Sequence, residues 1–424
     1  MPARTPSPPK GLSRRSFLGA GLVGAGLALT GCGSLGRPAE VSFYQSKPEV
    51  IGYFDELLAR FRDERPGVRV SHDVTSDLSA GFARGAPPDL GCSNYNFEIA
   101  RFVDHGALSD LGDMPEAGRI NPDLLPLVEL TASYPGRTSV LPYSLMAAGV
   151  LYNRATFAEH GLEAPTTWSE LVEVCDALTA AGVTPIYGTF AEPWTIGQGI
   201  LDYTVGGLVD VTAFFEALQE QGADTGPGSP VSFEKDFREP VERMLTLVGY
   251  TNADAAGRGY GDGNLAFARG EAAMYLQGPW ALTEIAKTSP DLDVGIFPLP
   301  MTDDPADRKV RVNVDLALWV PDVSPRQDGA RELVSFLMRP EIIDAYNADN
   351  LGFGVTTDAP PVTHPALVEL QEYYDGARFY LGPSQLVPES IPVHNYAQAI
   401  VTGADPGEVL RTLDADWARL ARRS

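Results

Sequence analysis

Between residues 41 and 74 the hydrophobic period changes twice, and this change constrains the fold more than any other feature of the chain. Val41 and Phe43 mark a short strand, Phe54, Leu57, Leu58 and Phe61 recur at helical spacing, and Val68, Val70, His72 and Val74 alternate as a second strand with one apolar face. Ser46-Lys47-Pro48-Glu49 reads as a capping box, in which Ser46 accepts from a helix amide and Glu49 reaches back. Pro66-Gly67 stops the helix. A strand, a helix and a strand in this order open an α/β domain.

The same alternation recurs downstream. Thr167-Trp168-Ser169-Glu170 is a second capping box, with Leu171, Val174, Cys175 and Leu178 behind it, Gly182 as the stop and a strand expected over 183–188. Ser324-Pro325-Arg326-Gln327 starts a third helix carrying Ala330, Leu333, Val334 and Leu337. The Gly, Pro and Ser-rich stretch 222–230 reads as a loop, because helical patterns resume on both sides. There is no internal repeat, heptad run or low-complexity tail.

The N-terminus carries a different message. Ser13-Arg14-Arg15-Ser16-Phe17-Leu18 opens an apolar, glycine-rich run that ends at Leu29-Thr30-Gly31-Cys32, which reads as a twin-arginine export signal over residues 1–32. The run of about 16 residues is shorter than the roughly 20 needed to span a bilayer. Its end resembles a bacterial lipobox, which implies that Cys32 is lipidated and anchors the protein to the outer face of the cell membrane. Ordinary cleavage next to an unmodified cysteine is the alternative. About 390 residues follow, too many for one core and suited to two domains.

A net charge of -24 with no long basic run argues against nucleic acid and against adsorption on anionic lipid, so membrane contact is expected through the anchor only. Of the three cysteines, Cys92 and Cys175 are each expected as a small buried residue rather than a metal ligand. The five histidines (His72, His105, His160, His364, His394) are scattered and form no metal-ligand spacing, so neither a metal nor a cofactor is expected.

Two further groups of residues resemble one family, the type 1 extracellular solute-binding proteins of bacterial ABC importers. Leu141-Pro142-Tyr143, Val150-Leu151-Tyr152-Asn153-Arg154-Ala155-Thr156-Phe157 and Pro165-Thr166-Thr167-Trp168 are similar to the family's entry into its second lobe. Phe267-Ala268-Arg269-Gly270-Glu271-Ala272-Ala273-Met274, followed by Gly278-Pro279-Trp280, is similar to its most recognisable motif. The resemblance implies an α/β fold of the type II periplasmic-binding-protein kind, with a ligand cleft between two lobes. It places lobe one at 37–143 plus 291–350 and lobe two at 144–290 plus 351–424. It also implies a monomer, not an enzyme, which captures a sugar or oligosaccharide and delivers it to ABC permease subunits.

A sugar cleft needs flat apolar surfaces for pyranose rings and fixed donors and acceptors for hydroxyls. Trp280 matches the tryptophan that stacks on sugar in the family, although it could instead close a helix end in the core. Glu192-Pro193-Trp194 resembles the family's acidic-proline-aromatic cleft segment, with Glu192 accepting hydroxyls and Trp194 stacking, and could instead be a plain strand-to-helix turn. Gln45 and Lys47 stand where the first strand meets a helix N-terminus. Asn94 follows Pro88-Asp89-Leu90-Gly91-Cys92-Ser93, which resembles a family strand that delivers ligand contacts at its carboxyl end. Asn313 and Asp315 alternate inside a hydrophobic strand, so one face of that strand has a polar purpose. Two alternatives stay open: a binding protein for another polar solute such as a glycerol phosphate, and a secreted glycosidase using Glu192 and Asp315 as its carboxylate pair.

Overall fold

The protein is described by a computed structural model over residues 40–45 and 47–423. The export signal, Cys32 and Ser46 lie outside the described residues. Among the described residues ten strands build two sheets: β1 (Glu40–Tyr44), β2 (Arg69–Asp73), β3 (Leu90–Ser93), β4 (Leu141–Ala148), β5 (Val150–Asn153), β6 (Thr184–Ile186), β7 (Ala272–Tyr275), β8 (Val294–Phe297), β9 (Val310–Trp319) and β10 (Phe379–Leu381). The first sheet runs β10-β9-β3-β1-β2 with β4 also paired to β9, and the second runs β6-β7-β5-β8. This is the two-lobe α/β architecture.

The strand-helix-strand unit forms as its periodicity predicts. β1 and β2 pair in parallel, and the helix Ile51–Glu64 between them buries Phe54, Leu57, Leu58 and Phe61. The Phe43 and Phe54 rings meet at 5.5 Å. A short turn, Pro48–Val50, precedes that helix, and Lys47 begins it without a side-chain cap. The second capping box is fully made: Glu170 N–H donates to the Thr167 hydroxyl at 3.2 Å, and Thr167 N–H donates to the Glu170 carboxylate at 3.2 Å. In the third start, the helix runs over Gln327–Leu337, and the Ser324 hydroxyl accepts from Arg326 N–H at 3.1 Å.

The chain crosses between the sheets at β4-Gly149-β5. A Cβ on Gly149 would lie 2.5 Å from the Phe297 carbonyl oxygen, so the crossing requires glycine. β8 pairs with β5 in the second sheet although it follows residue 291. β10 pairs in parallel with β9 in the first sheet although it follows residue 350. Pairing therefore assigns these two strands opposite to the boundaries expected from the resemblance.

Cys92 and Cys175 are free and buried, and burial raises both thiols, Cys175 to about 12. Among the described residues no helix is long and apolar enough to cross a membrane.

Candidate functional site

β9 is the element around which the site is built. Arg311, Asn313 and Asp315 alternate along it, so all three side chains leave the same face. Lys47, at the end of the β1 connection, donates its ammonium to both Asp315 carboxylate oxygens, at 2.8 and 3.0 Å. Asn94, beyond the end of β3, donates its amide to the Asp315 backbone oxygen at 2.8 Å. Three elements of the first sheet thus converge on one carboxylate, which is only 5% exposed.

Facing this group is Trp280, the first residue of the helix Trp280–Thr288. Its indole N–H donates to the Gln277 side-chain oxygen at 3.3 Å, and the Gln277 amide in turn donates to the Thr195 carbonyl at 3.0 Å. The ring is therefore fixed to the second-sheet side. Lys47, Asn94, Asn313, Asp315 and Trp280 line one cleft of about 700 Å³, within the range of about 300–1,000 Å³ for small-ligand sites.

Three expected residues do not line it. Gln45 continues the buried alternation of Val41 and Phe43, is 0% exposed, and has no partner for either amide atom among the described residues. Glu192 accepts from the Trp194 indole N–H and from Tyr260 N–H, both at 2.8 Å, so its carboxylate is satisfied by its own turn. The Trp194 ring packs on Tyr260, with centroids 5.0 Å apart. Glu192 and Asp315 consequently do not share the cleft.

Sequence reasoning missed one whole wall. Gln198, Ser384, Glu389, His394 and Asn395 also line the cleft: Ser384 and Glu389 from the segment between β10 and the helix Val393–Val401, His394 and Asn395 from the first turn of that helix, and Gln198 from the helical stretch Ile196–Leu201. Ser384 and Glu389 sit in chain without the periodicity that exposes strand and helix faces, so no sequence signal marked them.

Beneath Asn313 lies a buried ion pair. Arg311 donates from Nε to Asp202 at 3.2 Å with both side chains 0% exposed, and from Nη1 to the Asn313 side-chain oxygen at 2.9 Å. Asp202 also accepts from the Ser384 N–H at 2.7 Å and hydroxyl at 3.0 Å. Burial pushes the Asp202 carboxyl up, while Arg311 and the Ser384 donors oppose that rise. The guanidinium lies 5.8 Å from the Trp280 ring centre, so the pair supports both walls of the cleft.

Burial holds the His394 imidazole below its usual value, with Asp202 and Arg311 acting in opposite senses. A depressed folded-state value means the unfolded chain binds the proton more readily. The stability contribution is complete above about pH 6.5, the unfolded value, and is lost as pH falls through the folded value. The melting temperature of the wild type is therefore expected to fall more steeply below pH 6.5 than that of His394→Gln. Identical profiles would show that His394 carries no linkage.

Fold and cleft together define a two-lobe ligand-binding protein. The sequence profile of the bacterial extracellular solute-binding proteins matches residues 46–343, and the chain belongs to that family. Among curated relatives it is similar to a multiple sugar-binding protein of Streptococcus mutans, 30% identical over 162 residues, 38% of each chain. It is similar also to a probable sugar-binding periplasmic protein of Brucella melitensis, 27% identical over 305 residues, 68% of this chain and 65% of that one. These matches span less than two thirds of either relative. Among solved structures, apo RafE of Streptococcus pneumoniae superposes with a TM-score of 0.78 at 21% identity, over 90% of this chain and 98% of that one. RafE in complex with raffinose gives 0.74 at 22% identity, over 90% and 100%. At these identities the structures establish the fold.

Proposed function

We propose that this protein is the solute-capturing subunit of an ABC importer and takes up a sugar or oligosaccharide. The observation that carries the reading is the cleft itself: a paired ammonium and carboxylate with two asparagines on one side, and a tryptophan on the other. Lys47 and Asp315 offer charged donors and acceptors to hydroxyls, and Trp280 offers a flat apolar face to a pyranose ring. Relatives named as sugar-binding proteins point the same way.

The Lys47–Asp315 pair bears on the ligand class. Its two charges cancel at 2.8 Å, and the nearby Arg311 is buried against Asp202. Neither cation is free for a phosphate, which favours a neutral solute over a glycerol phosphate. Glu192 is held by Trp194 and Tyr260 outside the cleft, so the Glu192–Asp315 pair that a glycosidase would need is not assembled, which favours binding over hydrolysis.

Mechanistically, solute touching both sides favours a closed state by its differential affinity for it, and that state docks on the permease. In this reading the protein is a monomer held at the outer membrane face by lipid on Cys32. Residues 40–148 and most of 310–381 form lobe one, and 150–297 with the C-terminal helices form lobe two.

A thermal-shift screen against mono-, di- and oligosaccharides, amino acids and glycerol phosphates tests the reading. Binding to the native state raises the melting point by mass action. A shift confined to sugars, with no product over hours, is expected. A shift with glycerol phosphates alone, or consumption of a sugar, would overturn it. Trp280→Ala is expected to weaken sugar binding about tenfold with the fold retained. Unchanged affinity by calorimetry would remove Trp280 from the site.

A further inference from the structure

We infer that the binding trough continues beyond the cleft onto Phe97 and Arg101, so that the preferred solute is longer than a disaccharide. This rests on the carbohydrate reading above. A second cavity of about 890 Å³ lies between the helix Phe97–Asp104 and the C-terminal end of the helix Pro406–Ala421. Asn96, Phe97 and Glu389 line both cavities, so the two are adjacent and share one border. Each has a volume suited to one small ligand, about 300–1,000 Å³. A disaccharide in the first would leave the second unfilled.

The side chains at the junction suit a sugar. The Phe97 ring is half-buried yet lies outside the packed core, at the point where the cavities meet. An aromatic face left free at such a junction is a stacking platform for a pyranose ring. Arg101 stands one helical turn further along, on the same face of the helix. It is exposed, and its guanidinium has no ion-pair partner among the described residues. Glu389, from the segment after β10, is exposed at the junction and equally unpaired among the described residues. A fork of N–H donors and a carboxylate acceptor beside an aromatic face repeat, at the far end, the chemistry of Lys47, Asp315 and Trp280.

The segment 386–390 gives the trough its second wall. Leu386 and Pro388 line the cavity on its apolar side, and Gln219 adds a polar group from the helix Val211–Gln221. Sugar rings present C–H faces and hydroxyl edges together, so a mixed lining of this kind fits them better than it fits an apolar solute.

The test is calorimetric titration of the purified protein with three series: sucrose to verbascose, maltose to maltopentaose, and chitobiose to chitotetraose. In at least one series, affinity is expected to rise about tenfold beyond the disaccharide. Arg101 lines only the second cavity, so Arg101→Ala should abolish that gain and leave disaccharide affinity within about twofold. Phe97→Ala should abolish the gain as well. Affinity that levels off at the disaccharide, or an Arg101→Ala variant that weakens every length alike, overturns the extension and leaves the carbohydrate reading standing. Absence of binding in all three series overturns both.

Discussion

Asp202→Ala is expected to lower the unfolding free energy by about 3–5 kcal/mol, the loss typical when one partner of a buried pair is removed. Arg311 would remain charged, 0% exposed and without its carboxylate. The Ser384 N–H and hydroxyl would lose their acceptor in the same step. Removing both charges is a different experiment, because well-packed apolar replacements of a buried pair are often close to neutral. Arg311→Met with Asp202→Leu should therefore recover much of the loss. Urea unfolding of the two single variants and the double variant measures this, and a single-variant loss below about 1 kcal/mol would mean that water reaches the pair.

The surroundings leave little room for rearrangement. A Cβ on Gly382 would lie 2.3 Å from an Asp202 carboxylate oxygen and 2.7 Å from Arg311 Nε, so the backbone closes over the pair and requires glycine there. The same pair holds Asn313 and underlies Trp280, which gives Asp202→Ala a second consequence. Any ligand affinity that survives should fall too, because a cleft wall has lost its support.

The fold was legible in the sequence because period changes are local. Val41 and Phe43 followed by Phe54, Leu57, Leu58 and Phe61 needed no knowledge of distant residues. Lobe membership was less legible, because β8 and β10 choose their sheets by pairing with strands far away in the chain. In the site, Asn313 and Asp315 announced themselves as polar residues inside an apolar strand. Arg311 obeys the same alternation but stands at the edge of the strand, where an arginine reads as a solvated end. Gln45 shows the reverse failure: its position beside a helix N-terminus suggested ligand, while its parity with Val41 and Phe43 already placed it on the buried face. Glu192 failed for another reason. Its acceptor capacity is consumed by Trp194 and Tyr260, and the second of these is 68 positions away.

Asp315→Ala is expected to reduce sugar affinity by about 10–100-fold, since a hydrogen bond to a charged group contributes about 1.5–3 kcal/mol. The carboxylate is the point on which Lys47 and Asn94 converge, so its removal deprives the solute of an acceptor and releases two donors from their set positions. Lys47→Ala should cost less, because its ammonium already spends two bonds on Asp315. The Asp315→Ala cleft would also change character. Lys47, with a side chain 17% exposed and Glu49 at 3.6 Å as its remaining partner, would become an available cation, and weak binding of anionic solutes should appear where the wild type shows none. Calorimetry with a bound sugar and with a glycerol phosphate on both variants decides the matter. Full sugar affinity in Asp315→Ala would make the Lys47–Asp315 pair a structural brace behind the cleft, and would leave Asn313 as the polar counterpart of Trp280 on the β9 side.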